Sequence, residues 1–257
     1  MSGPGNMAGS APARLLTPEN SKEVPLSSLP EVLARLGDPS TPVTWIHMES
    51  GPEVIQALDG LRLHEVAVKS LRDGVERPRV EEFADHVYIS LFSAEAPASV
   101  GTPASIDTLG NTGIPGGVET PGGAGTLGCG ASMLHGLPAL HDLRLFLGPR
   151  WVISVGLIRE PDYEVLASRV QRQVFSQGRG AGFIAYHICE WLVESLQPAL
   201  DGLDERIDAL EDQVVLTTEQ ASMQELFSLK RDIVDLRRRV APLRDVMQRL
   251  GSHGVLY

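Results

Sequence analysis

The residues best suited to chemistry in this sequence are carboxylates that recur at helical spacing in its C-terminal third. Steps of three and four residues separate Asp201, Asp204, Asp208 and Glu211. On a helix such steps place side chains on one face, where like charges destabilise the helix by about 0.2–0.5 kcal/mol per pair. Carboxylates are the ligands that Mg²⁺ prefers, usually one or two of them with water completing the shell. The face is therefore either simply solvated or a binding face for hard cations.

A further acid follows a strongly apolar run at 87–92, where it would lie near the end of a strand. This acid is Glu95, and a carboxylate in that position could bind the same kind of ion. The candidate metal ligands are Glu95, Asp201, Asp204, Asp208 and Glu211.

Two long helices, folded back as a hairpin between about 182 and 250, must position the carboxylates of the C-terminal third. The second helix has apolar residues in a strict three-four alternation: Leu226, Leu229, Ile233, Leu236, Val240, Leu243, Met247 and Leu250. This spacing is typical of a coiled coil. The seam must pack on the preceding helix, on the rest of the chain or on copies of itself.

The residues before the hairpin predict a body of mixed strands and helices. Strands are predicted at 43–47, 87–92, 141–147 and 151–155, and helices at 29–36, 50–58, 64–71 and 161–177. The last two strands are separated by a short turn and predict an antiparallel hairpin. We therefore predict an α+β fold of α/β/α layers, with a mixed β-sheet covered by helices and followed by a long helical stalk.

Composition divides the chain further. Residues 1–22 are rich in Gly, Pro, Ser and Ala and predict a disordered arm. Residues 97–140, within a body that spans 23–177, are rich in Gly and Pro and nearly uncharged, which predicts a flexible insertion. The helical hairpin occupies 178–257.

The overall charge and cysteine content exclude several classes of function. A net charge of −11 argues against nucleic acid and anionic lipid as partners and suits cations. Two distant cysteines imply no disulfide framework and a reducing cytosol as the default compartment. No run of about 18 uninterrupted apolar residues occurs, so we expect the chain as given to be soluble.

Motifs of catalysis are missing from the sequence. It contains no GxSxG, HExxH or Walker motif and no paired Cys/His metal motif, and its seven histidines are scattered. We therefore predict that the chain is not an enzyme, and a soluble hydrolase finds no support from a nucleophile motif.

The order of segments adds a resemblance to a known family. The segments that carry it are 45–48, 61–68, 77–83 with the run 87–92, and above all 229–246. Together they resemble the cytosolic part of the CorA family of divalent-cation channels, the group that also holds the ZntB zinc transporters. The likeness covers about 43–250 except for the Gly-rich insertion.

The resemblance implies a function and an assembly. It implies a homopentamer whose five stalks surround an ion path, on the cytoplasmic side of the cell membrane. The chain would be the regulatory domain that senses Mg²⁺, with Co²⁺, Zn²⁺ and Ni²⁺ as alternatives, and thereby gates the pore. The family's two membrane helices and its Gly-Met-Asn signature do not occur before Tyr257, so we expect a fragment of a longer protein.

The resemblance also implies a regulatory metal site between subunits, with Glu95 as the nearest counterpart of its strand-end acid. The matching stalk acid would lie beyond Tyr257. Two alternative functions stay open: the cytosolic domain of a ZntB-like zinc transporter, and a free-standing interaction protein that dimerises through its coiled coil.

Overall fold

The computed structural model describes residues 12–58, 61, 63–74, 77–94, 140–216 and 220–252, and the side chains of all of these except 213–216, 220–222 and 252. Its strands are β1 Ala13–Leu16, β2 Ser21–Val24, β3 Thr44–Met48, β4 Arg79–Glu82, β5 Val87–Ala94, β6 Leu140–Leu147 and β7 Trp151–Gly156. They form one sheet in the order β2-β1-β3-β7-β6-β5-β4. The β3–β7 pair is parallel and the other pairs are antiparallel, so the predicted mixed sheet is confirmed.

The helices lie on both faces of this sheet. They are α1 Leu29–Arg35, α2 Pro52–Leu58, α3 Glu65–Asp73, α4 Glu160–Val170, α5 Ala181–Ser195, α6 Gln197–Leu216 and α7 Gln220–Ser252. Successive strand residues point to opposite faces. Thus Tyr88 packs in the core formed with α1 to α3, whereas Ile89 packs in the core formed with α4, α5 and the α6–α7 hairpin. The predicted α/β/α layering is confirmed.

The strands predicted from apolar runs are present. β6 and β7 form the expected hairpin, closed by the Gly148 amide donating to the Trp151 carbonyl at 2.9 Å. β5 pairs along its whole length with β6, from Val87 opposite Leu147 to Ala94 opposite Leu140. The insertion predicted at 97–140 lies outside the described residues except for Leu140, which begins β6.

The prediction of a disordered arm at 1–22 is wrong for its second half. Residues 13–24 form the β1–β2 hairpin, closed by the Thr17 amide donating to the Asn20 carbonyl at 2.9 Å. β1 also pairs with β3, which buries Ala13, Leu15 and Leu16. The pairing and burial of this short apolar run outweigh the Gly- and Pro-rich composition around it. Residues 1–11 lie outside the described part of the chain.

The first long helix of the predicted hairpin is divided in two. α5 ends at Ser195 and α6 begins at Gln197, with Leu196 between them. Pro198 lies in the first turn of α6. It has no amide hydrogen, so it cannot donate the hydrogen bond that would continue α5 into α6. α7 continues for 33 residues, roughly 50 Å, despite an internal Pro242. None of the helices in the described ranges is both long and apolar enough to cross a bilayer.

Candidate cation-binding face on the helical hairpin

The packing of α6 against α7 sets which side of α6 faces water. Leu203 and Leu210 of α6 are buried in the same core as Leu229, Leu236 and Leu243 of α7. Because these apolar residues turn one side of α6 inward, its polar residues lie on the other side. Asp201, Asp204, Asp208 and Glu211 are all exposed.

The exposed side of α6 is strongly acidic. The exposed carboxylates between 201 and 212 are Asp201, Asp204, Glu205, Asp208, Glu211 and Asp212. Arg206 is the single base in this stretch. We call these carboxylates the acidic face of α6. One local contact supports its N-terminal end, where the Gln197 side-chain amide donates to Asp201 Oδ1 at 3.1 Å.

The structure does not gather the acidic face into a compact metal centre. Within the described ranges, no three His, Cys, Asp or Glu side chains form a group that could hold a metal ion. Glu95, the predicted strand-end ligand, lies outside the described residues. The role of the five predicted ligands stays a prediction.

Arg206 turns away from the acidic face and joins the two helices of the hairpin. Its Nη1 donates to Asp232 Oδ2 at 2.7 Å, and its Nη2 donates to Glu225 Oε1 at 3.0 Å. Burial alone would lower the pKa of Arg206, but its bonds to Asp232 and Glu225 outweigh this and raise the pKa. The pairing was missed from the sequence, where a lone arginine within an acidic stretch was the only available signal.

The acids upstream of α6 serve a different purpose. Glu190 and Glu194 on α5 both pair with Arg169 of α4, at 3.1 and 3.7 Å. His187 Nδ1 lies 3.1 Å from Glu190 Oε2, and this hydrogen bond is the main cause that lowers the pKa of Glu190. These carboxylates fasten α5 to α4, so the candidate cation face is confined to α6.

The apolar seam of α7 is only partly covered within one chain. Leu229, Leu236, Leu243 and Leu250 are buried. The intervening seam residues Leu226 and Ile233 keep 47% and 39% of their surface exposed. The large exposed apolar residues of α7 are Met223, Leu226, Phe227, Ile233 and Val234, which we call the apolar patch of α7.

The sequence matches known proteins over part of its length. A family model described as CorA-like Mg2+ transporter protein matches residues 135–255. The putative metal ion transporter YfjQ of Bacillus subtilis (strain 168) is 27% identical over 111 residues, which is 43% of this chain and 35% of that protein. The cobalt/magnesium transport protein CorA of Thermotoga maritima is 29% identical over 97 residues, which is 38% of this chain and 27% of that protein. The match thus spans about a third of each curated relative.

The fold also resembles solved structures. The soluble domain of CorA from Methanocaldococcus jannaschii superimposes with a TM-score of 0.57 and 15% identity, covering 93% of this chain and 79% of that chain. A likeness at this identity shows the fold alone. The resemblance noted from the segments is confirmed: residues 135–255 match the CorA-like family model, and the chain folds like a CorA soluble domain.

Proposed function

We propose that this chain is the cytosolic regulatory part of a CorA-type divalent-cation transporter, and that the acidic face of α6 responds to Mg²⁺. The observation that carries the proposal is this face of exposed carboxylates within a CorA-like domain. A cation bound there would be held by one or two carboxylates and water, or by carboxylates from two copies of the chain.

The ligand chemistry favours Mg²⁺ over Zn²⁺. Every charged candidate on the acidic face offers hard carboxylate oxygens, which suit Mg²⁺, whereas Zn²⁺ sites are usually rich in thiolate and imidazole. Cys189 is buried, and this burial raises the pKa of its thiol to about 12. His187 is buried as well, in contact with Glu190. A ZntB-like zinc function therefore has less support from these residues.

The apolar patch of α7 supplies a surface for association between copies. Leu226 and Ile233 continue the coiled-coil spacing of the buried leucines, so a second helix could cover them in the same manner. Contiguous exposed apolar residues commonly mark an interface. We infer that copies of the chain associate through this patch, as a homopentamer in the full-length protein.

Ion binding and association would be linked through charge. Each copy brings the carboxylates of its α6 face, and bringing several such faces together raises their mutual repulsion. Mg²⁺ bound at the faces neutralises part of this charge, so the ion stabilises the associated state that binds it. Under this proposal, bound Mg²⁺ favours the associated state of the cytosolic parts, and this state in turn sets whether the pore is open or closed.

The experiment is the solution mass of the 257-residue chain, measured by light scattering in millimolar Mg²⁺ and then in EDTA. We expect a larger mass in Mg²⁺, and a loss of that response when the acidic face is neutralised. The neutralised variant carries Asp201→Asn, Asp204→Asn, Asp208→Asn and Glu211→Gln.

A matched control makes the same change of charge on the body. It carries Glu19→Gln, Glu31→Gln, Glu49→Gln and Glu164→Gln, which are exposed acids outside the hairpin. The control should keep the Mg²⁺ response. A wild-type mass that is the same in Mg²⁺ and EDTA would contradict ion-linked assembly. A stable dimer in both conditions would favour the free-standing interaction protein.

A further inference from the structure

A basic cleft lies between α3 and the edge strand β4, far in sequence from the helical hairpin. Its volume is about 530 Å³, and its lining includes Lys69, Ser70, Asp73, Arg77, Arg79 and Ser90. Small-molecule sites commonly have volumes of about 300–1,000 Å³. The cleft is therefore large enough for a small ligand, and its lining indicates which kind.

The charges of the cleft oppose the charge of the whole chain. Lys69, Arg77 and Arg79 line it together with a single acid, Asp73, although the net charge of the chain is −11. Arg79 pairs with Glu81 at 3.1 Å. Lys69 and Arg77 are exposed and form no ion pair with any residue in the described ranges. Two cationic side chains at the cleft are thus available to a ligand.

The backbone that carries these cations is held in place from below. Ser90 Oγ donates to the Arg77 carbonyl and accepts from the Arg79 amide, both at 3.2 Å. On the opposite wall, Arg144 Nε donates to the Ser70 carbonyl at 3.0 Å, and the Tyr88 hydroxyl donates to Ser70 Oγ. The two walls are therefore fixed relative to the sheet before any ligand binds.

The buried arginine beneath the cleft is itself neutralised and serves as support. Arg144 is 1% exposed, and its Nη2 donates to Asp142 Oδ2 at 3.1 Å. Its charge is balanced inside the protein, whereas the charges of Lys69 and Arg77 face solvent. The ligand therefore meets the exposed cations of a prearranged cleft, which reduces the ordering cost of binding.

We propose that this cleft binds a small anion bearing phosphate groups, of the class of pyrophosphate and nucleoside polyphosphates. Two available cations at one cleft suit a multivalent anion, whereas a single carboxylate would be satisfied by one arginine. The guanidinium fork of Arg77 matches two phosphate oxygens, and Lys69 adds a point charge from the facing helix. The site is separate from the acidic face of α6 and does not depend on the cation function.

The test is a calorimetric titration of the 257-residue chain with pyrophosphate, in a buffer free of divalent ions. We expect saturable binding that weakens by about tenfold or more in the double variant Lys69→Ala, Arg77→Ala, because two charge-assisted contacts are lost. The matched control is the double variant Arg35→Ala, Arg72→Ala, which also removes two exposed bases, both outside the cleft lining. It should bind pyrophosphate like the wild type.

Several outcomes would overturn the proposal. Wild-type chain that binds no pyrophosphate would do so. Equal weakening by the control variant and by Lys69→Ala, Arg77→Ala would do so as well, because it would indicate unspecific attraction. Circular dichroism confirms that each variant is folded. Vesicles of phosphatidic acid in phosphatidylcholine form a second arm. The chain could bind these vesicles through Lys69 and Arg77 and yet not bind pyrophosphate. That result would mean that the cleft recognises lipid headgroups, and it would exclude the small ligand.

Discussion

Arg206 and Asp232 join the two helices of the hairpin, with Nη1 of the arginine 2.7 Å from Oδ2 of the aspartate. The Asp232 side chain is only 4% exposed, so its charge lies almost out of water and requires a partner. The only base of the acidic stretch of α6 is thereby directed toward α7. The same contact that fastens the hairpin leaves the carboxylates of the acidic face turned to solvent.

Replacement of Arg206 should destabilise the hairpin strongly. Arg206→Met leaves the buried Asp232 carboxylate without its cation, and we expect a loss of about 2–4 kcal/mol in the free energy of unfolding. Adding Asp232→Leu should restore much of this loss, since no unpaired charge then remains. Urea unfolding gives the free energy of unfolding of both variants.

A more exposed ion pair provides the control for this prediction. Arg169→Met breaks the pairs with Glu190 and Glu194, whose side chains are 36% and 57% exposed, and should cost less than about 1 kcal/mol. Equal losses of unfolding free energy for Arg206→Met and Arg169→Met would show that the burial of Asp232 does not raise the cost of losing its partner.

The two kinds of seam residue on α7 should respond differently to truncation. Leu236→Ala removes a buried side chain and leaves a cavity, so we expect a loss of about 2–5 kcal/mol in unfolding free energy. Ile233→Ala, at a residue 39% exposed, should lower the stability of dilute protein by less than about 1 kcal/mol. In concentrated protein it should instead reduce the mass measured by light scattering. An unchanged mass in Ile233→Ala would argue against association through the apolar patch of α7.

His47 should make the stability of the body depend on pH. Burial, assisted by the charge of Arg14, lowers the pKa of His47 from 6.5 to about 3 in the folded chain. Between these values the unfolded chain binds a proton that the folded chain does not, so stability falls as the pH falls from 6.5 toward 3. The slope from this one group approaches about 1.4 kcal/mol per pH unit.

Urea unfolding across this pH range tests the prediction. His47→Leu removes the titrating group and keeps Trp45, whose Nε1 donates to Ser154 Oγ at 2.9 Å in the wild type. The stability of the variant should fall less steeply with decreasing pH than that of the wild type. Equal slopes of unfolding free energy against pH for the two proteins would mean that other titrating groups cause the pH dependence.

Gly156 should not tolerate a side chain. Its φ is +152°, and an added Cβ would lie 2.4 Å from the Asp142 carbonyl oxygen. Gly156→Ala must therefore strain β7 or move β6, and we expect a loss of about 1–3 kcal/mol. Gly37, with no atom within 4 Å of an added Cβ, is the control, and Gly37→Ala should be close to neutral. Equal shifts of the melting temperature in the two variants would contradict the predicted effect of the clash.

The central strands were predictable because burial leaves a clear mark on sequence. β3, β5, β6 and β7 lie inside the sheet and carry the apolar runs that the prediction used. β1 also lies inside the sheet, but it has only four residues within Gly- and Pro-rich sequence and was assigned to the disordered arm. β2 and β4 form the two edges, and their sequences SKEV and RVEE are mostly polar. Charged residues at an edge discourage pairing with other chains, and they also hide the strand from an analysis of apolar patterns.

Some features of the sites were likewise predictable from the sequence and others were not. The exposure of the acidic face follows from helical periodicity, which is a local property. The pairing of Arg206 with Asp232 and the convergence of Lys69 with Arg77 depend on the way separate elements meet in the fold. No spacing in the sequence predicts that such residues come together, so only the structure could identify them.

The pairing of Ala94 with Leu140 means that the chain leaves β5 and re-enters β6 at the same place. Two antiparallel neighbours of this kind can be joined by a hairpin of two to five residues. The connecting segment 95–139 has 45 residues. By the general rule for flexible loops, closing one of that length costs about 2 kcal/mol more in entropy than closing one of four residues. We therefore expect a four-residue turn in place of 95–139 to raise the melting temperature of the chain. An unchanged or lower melting temperature would show that the long segment makes contacts that offset its closure entropy.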